Sequence, residues 1–234
     1  VRQALQTLLS DVLELFDDQH AYAWFVLVTS ALCLSSFWAL ARAAMHPIPI
    51  TGGFLPGTFV QLGWALLFLL AVPAVAARLA RLEQPTVGFR QTLSPFAWRA
   101  SLALSLAALG LALFTPLFGP TLLQLGWVGP QPPLLFWLAL LAAYAFAFEF
   151  FFRGFLLQGL AQAWGRTQAL WFQAFATTSL SLGGPVTEAF AIFAFSLLLG
   201  VLTLRSRALV WPWLVQLAWL LGRDARFLGF WGGA

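Results

Sequence analysis

Apolar residues run along this chain in long blocks, separated by short joints rich in Pro, Gly or charge, and they do not alternate with polar ones. A helix needs about 20 apolar residues to cross ~30 Å of hydrocarbon. By that measure the blocks predict helices at 21–43, 55–77, 96–118, 134–159, 168–183, 187–204 and 208–222. The last three are short or interrupted, which predicts helices buried inside a bundle and away from lipid. The joints are HPIPITGGFLPG at 46–57, GPTLLQLGWVGPQPP at 119–133 and GGP at 183–185, all turn-forming compositions. Ahead of the first block, Leu5, Leu8, Leu9, Val12 and Phe16 keep helical spacing while Gln3, Asp11, Glu14, Asp17 and Asp18 fall mostly on other faces. Residues 1–20 therefore read as an amphipathic surface helix. It is acidic, which disfavours anionic lipid and favours a protein partner. With four acids and no compact apolar core, it is not a cleavable signal peptide.

The pattern predicts an all-α fold, a polytopic transmembrane helix bundle of about seven spans. Its parts are the surface helix 1–20, three helices and a loop over 21–133, a four-helix core over 134–222 and a short tail over 223–234. Composition agrees. Of the 234 residues, 61% are hydrophobic and 9% charged, and the mean hydropathy is +0.87. An ordinary soluble domain carries about 25% charged residues, and a globule of this size could not hide so much apolar surface from water. A soluble enzyme, a disordered chain and a disulfide scaffold are excluded. The lipid bilayer is the first expected partner. Val1 in place of Met fits a non-standard start codon or a trimmed chain.

Charge narrows the picture further. The twelve basic residues are all Arg and form no basic patch, so the pI near 10.6 carries no nucleic-acid signal. With Lys absent, a lysine Schiff base and hence a retinal site are excluded. His20, His46 and Cys33 do not cluster in sequence, so no metal, haem or other cofactor is expected. If the spans alternate, Arg78, Arg81, Arg90, Arg99, Arg166, Arg205 and Arg207 fall on one side, and Arg42, Arg223 and Arg226 on the other. The positive-inside rule then places the N-terminus in the cytoplasm and the C-terminus outside.

Two charges break the longest apolar stretch. Glu149 and Arg153 lie in YAFAFEFFFRGFLLQGL, where a charge at mid-bilayer costs roughly 2.5–3.5 kcal/mol on insertion scales. Four residues apart, they share a helix face, with Glu on the favourable N-terminal side. One reading makes Glu149 a general base that activates water beside Arg153. The other makes the two a salt bridge that sets helix rotation.

The segment Phe148-Glu149-Phe150-Phe151-Phe152-Arg153-Gly154 resembles the first motif, E-E-x-x-x-R, of the CAAX-protease and bacteriocin-processing (CPBP) family of glutamate-dependent intramembrane proteases. The stretch 194–221, AFSLLLGVLTLRSRALVWPWLVQLAWLL, is similar to that family's final helix pair, with Gly200, Arg205 and Trp211-Pro212 at matching points. The resemblance implies a CPBP-like core, which belongs in a membrane such as the bacterial plasma membrane. It also implies departures at the chemistry. Phe148 stands for the first Glu. The His of F-x-x-x-H falls on Ala176 counting from Phe172, or on Ser179 counting from Phe175. In H-x-x-x-N, Gln216 stands for His and Leu220 for Asn. Ala and Leu supply no proton, donor or ligand.

Two lesser candidates remain. Glu188 follows GGP at a helix start, where the dipole accounts for it. Gln216 with Thr177, Thr178 and Ser179 could form a polar cluster near Glu149, although such residues more often bond neighbouring helices or their own backbone. The twelve Trp suit interfacial belts and partner-facing surfaces. The resulting expectation is a non-catalytic structural or adaptor subunit working with other membrane protein subunits. The alternative is a divergent intramembrane endopeptidase using Glu149. A transporter lacks paired inverted helix breaks.

Overall fold

A computed structural model describes residues 19–43, 48–50, 53–55, 57–79, 95–114, 132–180 and 185–225. In hydrocarbon every backbone N–H and C=O must be satisfied within its own segment, so apolar blocks of this kind become helices. Seven are present among these residues. They are α1 (Gln19–Ala43), α2 (Gly57–Leu79), α3 (Pro95–Phe114), α4 (Leu134–Trp164), α5 (Arg166–Ser179), α6 (Val186–Ser206) and α7 (Val210–Asp224). The expected all-α bundle is what forms. The predicted surface helix lies outside the described residues except for its last two, as do Arg81, Arg90, Arg226, most of the 119–133 joint and most of the tail.

The ends of the helices follow from local chemistry. Pro133 and Pro185 stand just before α4 and α6, where a missing N–H costs nothing. Gly165 separates α4 from α5 at φ +88°, a conformation that L side chains avoid. Arg207 closes α6 in the left-handed region at φ 52°, its N–H donating to the Thr203 carbonyl at 2.8 Å. Two helices widen into π-helical turns. In α2 the turn spans Leu66–Ala71, just before Pro73, whose ring would crowd the Leu69 carbonyl in a regular helix. In α4 it spans Phe150–Leu156 and buries all seven of its residues.

Between α1 and α2 the predicted Pro/Gly joint contains an antiparallel ribbon, β1 (Ile48–Ile50) with β2 (Gly53–Leu55), in the register Ile48↔Leu55, Pro49↔Phe54, Ile50↔Gly53. Block length alone read this stretch as a turn. Gly and β-branched Ile across a two-residue gap allow the chain to pair with itself there.

Four helices are long and apolar enough to cross a membrane: Ala21–Ala43, Gly57–Leu79, Leu134–Trp164 and Val186–Ser206. The protein is an integral membrane protein. The expectation that the last three helices would be buried holds for α7, whose Val215, Gln216, Trp219 and Leu220 are buried, and is corrected for α5 and α6. α6 is a full 21-residue span. The 14-residue α5 turns Trp171, Phe172 and Phe175 outward. The most buried of the four long spans is α4, with half of its apolar window inside the protein. It packs against α1, α2, α5 and α7. Length reports whether a helix reaches across the bilayer; which neighbours surround it decides burial.

α3 leans mainly on α7, and the approach is close because Gly222 has no side chain. A Cβ there would lie 2.6 Å from Ala112 Cβ and 3.0 Å from the Leu109 carbonyl oxygen. Ser101 Oγ donates to the Trp211 carbonyl at 3.3 Å on the same contact. Gly222→Ala is therefore expected to destabilise the purified protein by about 1–3 kcal/mol through overpacking. Gly110→Ala, at a position with nothing within 4 Å, is expected to leave thermal unfolding in detergent unchanged.

Candidate functional site

The centre of α4 carries the charges. Glu149 is 0% and Arg153 1% exposed, and Arg153 Nη1 lies 3.1 Å from Glu149 Oε1. The four-residue spacing brings them together on one face, and the widened turn that begins at Phe150 keeps that face inward. π-helical turns of this kind recur at functional sites. The second arm of the guanidinium reaches another helix: Arg153 Nη2 donates to Ser196 Oγ on α6 at 3.1 Å. Ser196 Oγ donates to Gln173 Oε1 on α5 at 3.3 Å, and Gln173 Nε2 donates to the Ser196 carbonyl at 3.0 Å. Gln173 is 0% and Ser196 1% exposed. Among the described residues neither Glu149 oxygen accepts an aligned hydrogen bond, and Arg153 Nε donates none. The guanidinium carbon lies 5.8 Å from the centre of the Phe152 ring, a weak cation–π contact.

Aromatic rings flank the pair along α4 and pack on one another. Phe148 lies 4.6 Å from Phe152 and 6.4 Å from Tyr144, Phe151 meets Phe152 edge-on at 4.9 Å, and Phe155 continues the series 6.3 Å from Phe151. Phe37 of α1 joins it through Tyr144 at 6.5 Å. Phe148 is thus a rung in an aromatic ladder along α4. Offset or tilted ring pairs of this kind add about 0.5–1.5 kcal/mol each beyond their area.

The other sequence candidates are scattered. Ala176 is partly buried against the core, and Ser179 is exposed and donates to the Ala176 carbonyl at 2.8 Å. Thr177 Oγ1 donates to the Gln173 carbonyl and Thr178 Oγ1 to the Ala174 carbonyl, both at 2.8 Å. All three hydroxyls thus close on their own helix. Leu220 is core. Gln216 on α7 is 9% exposed and makes no hydrogen bond to Glu149, Thr177, Thr178 or Ser179 among the described residues. The polar cluster envisaged around Gln216 is therefore not formed. Glu149 meets Ser196 and Gln173 through Arg153 instead. Glu188 lies in the first turn of α6 and also faces Arg223 Nη2 across 3.6 Å, tying α6 to the end of α7. Beside it the buried Asp224 accepts from Trp137 Nε1 at 3.0 Å, tying α7 to the start of α4. Cys33 is packed inside the bundle. Among the described residues no three His, Cys, Asp or Glu side chains converge as a metal site would need.

Gln173 and Ser196 escaped the sequence reading. Each is a single neutral polar residue in an apolar run, ALWFQAF and FAFSLLL, and nothing in spacing alone connects two helices. The available signal was Gly200, one turn after Ser196, which marks α6 as a close-contact face. A Cβ at Gly200 would overlap Leu170 Cδ1 and lie 2.9 Å from Gln173 Nε2.

Residues 130–221, which contain α4 to α6 and most of α7, match the family model described as Type II CAAX prenyl endopeptidase Rce1-like. This segment is similar to that family, part of the wider CPBP group that the Glu149–Arg153 motif also resembles. No curated protein and no solved structure matches the chain. Within the Rce1-like segment the ion pair sits on the first helix, with its polar extension on the next two.

Two charges in hydrocarbon are tolerated as a pair, and losing one strands the other. Glu149→Leu or Arg153→Leu alone is expected to destabilise the protein by roughly 3–5 kcal/mol. The double change Glu149→Leu with Arg153→Leu is expected to cost less than either. Chemical unfolding in detergent, with each variant's abundance in the membrane, checks the order.

Proposed function

We propose that this chain is a non-catalytic member of the Rce1-like group, serving as a structural or adaptor subunit of a membrane protein complex. The observation that carries the reading is the closed state of the pair: Glu149 is fully buried, directly engaged by Arg153 and continued by neutral side chains. A general base has to reach a water or substrate proton. A developing oxyanion needs donors aimed at it. Glu149 is engaged by an Arg already committed to it, on a helix whose Phe rings pack against one another. Phe148, at the position of the family's first Glu, supports the same reading by its place in the aromatic ladder. The acidic 1–20 segment and the exposed Trp24, Trp98 and Trp171 offer surfaces to other subunits. A bacterial plasma membrane, with the N-terminus in the cytoplasm, is the proposed setting.

The endopeptidase reading draws on one feature, the two Glu149 oxygens that accept no aligned hydrogen bond. It predicts that Glu149→Gln abolishes turnover and leaves abundance unchanged. The adaptor reading predicts no turnover to lose.

The deciding measurement is native size after extraction from the protein's own membranes in a mild detergent. An assembly well above 25.7 kDa plus its detergent belt, with the same additional polypeptides in fixed proportion, is expected. A lone monomer or simple homodimer overturns the adaptor reading.

A further inference from the structure

α5 has a narrow inward face. Its buried positions are Ala169, Gln173, Ala174 and Thr177. Between helices in lipid, apolar burial contributes little, because the acyl chains are as apolar as Leu; close packing and hydrogen bonds hold helices together. Small residues supply the close packing here, with Gly200 of α6 lying against Leu170 and Gln173. Gln173 supplies the hydrogen bonds. Its amide oxygen and nitrogen both engage Ser196, at 3.3 and 3.0 Å. Ser196 in turn accepts from Arg153, so no link from the α4 carboxylate to the α5 amide exceeds 3.3 Å.

We infer that Gln173 and Ser196 are positioning residues that clamp the Arg153 guanidinium against Glu149 and, by the same bonds, set the depth and rotation of α5 on α6. The ion pair is thereby coupled to the stability of one particular helix. The inference rests on the pair being a structural lock and goes further by naming the element it locks. A serine hydroxyl fits because it accepts from Arg153 while donating to Gln173, a dual use open to a hydroxyl and closed to an alkyl group. Removing it strands Arg153 Nη2 and Gln173 Oε1 together in a low-dielectric interior, where an unmet polar group costs most.

Amide hydrogen exchange on the purified full chain tests this. In Ser196→Ala, exchange over 166–179 is expected to rise about tenfold or more, as loss of a hydrogen bond to a charged group implies. Exchange in α1 and α2 is expected to stay unchanged. Ser196→Thr, which keeps the hydroxyl, is expected to restore protection, and Gln173→Leu to reproduce the selective loss if Ser196→Ala does not fold. In the Glu149→Leu, Arg153→Leu background, Ser196→Ala is expected to accelerate α5 less than in the natural sequence. Equal acceleration in both backgrounds, uniform acceleration of all helices, or an unchanged α5 overturns the clamp. The native-size measurement reads independently of all this, so a monomer with selectively released α5 would sink the adaptor reading and leave the clamp standing.

Discussion

A guanidinium inside a lipid bilayer has to be paired, hydrogen-bonded and walled off, since hydrocarbon supplies none of those. Arg153 is paired with Glu149, donates to Ser196 and lies over the Phe152 ring. The consequences run outward from there. The helix that carries the pair lies among its neighbours, its middle turn widens so that every residue from Phe150 to Leu156 is buried, and two further helices bring neutral polar groups to the same point. A buried ion pair is weak evidence of net stability, because desolvation offsets most of the attraction. On the proposed structural role, its contribution is specificity: few packings of the described apolar helices bring these two charges together inside the protein.

With that centre set, the outer contacts need little chemistry. α3 reaches α7 through Gly222 and Ala112, and α5 reaches α6 through Gly200. At one end of the bundle, Trp137 with Asp224 and Glu188 with Arg223 bind α4, α6 and α7 to one another. Small residues for close approach and isolated polar pairs for orientation are the means available where the solvent is itself apolar. The segment similar to Rce1 contains the pair and one partner of each tie, Trp137 and Glu188, while Asp224 and Arg223 lie just past it. On the proposed reading, a carboxylate at position 148 would add a second negative charge beside Glu149, whereas the Phe148 ring adds to the ladder.

Much of this was readable from the chain. The predicted helix limits fall within a few residues of those observed, because lipid imposes both the length and the helical form. Glu149 and Arg153 were conspicuous as the charges in an apolar run. The environment of the pair was not readable. Thr177, Thr178 and Ser179 were a visible polar run yet spend their hydroxyls on their own helix, while Gln173, one turn earlier, does the bridging. Hydroxyls on a helix can always find the carbonyl three or four residues back; an amide on a longer stem can reach a neighbouring helix. α5 was misjudged for a related reason, since a short apolar block reads the same whether its aromatic side faces protein or lipid.

That this protein lives in a membrane, that it is helical, and that one helix carries a charge pair four residues apart could all be read along the chain. These follow from composition and local spacing, which act along the chain. Which helix is central, which polar residues meet the pair and which aromatic face is left exposed emerge from the packing of the helices. In a bilayer most residues are apolar whether they face a neighbour or an acyl chain, so the pattern along the chain carries little record of burial, and that record is written only when the helices pack.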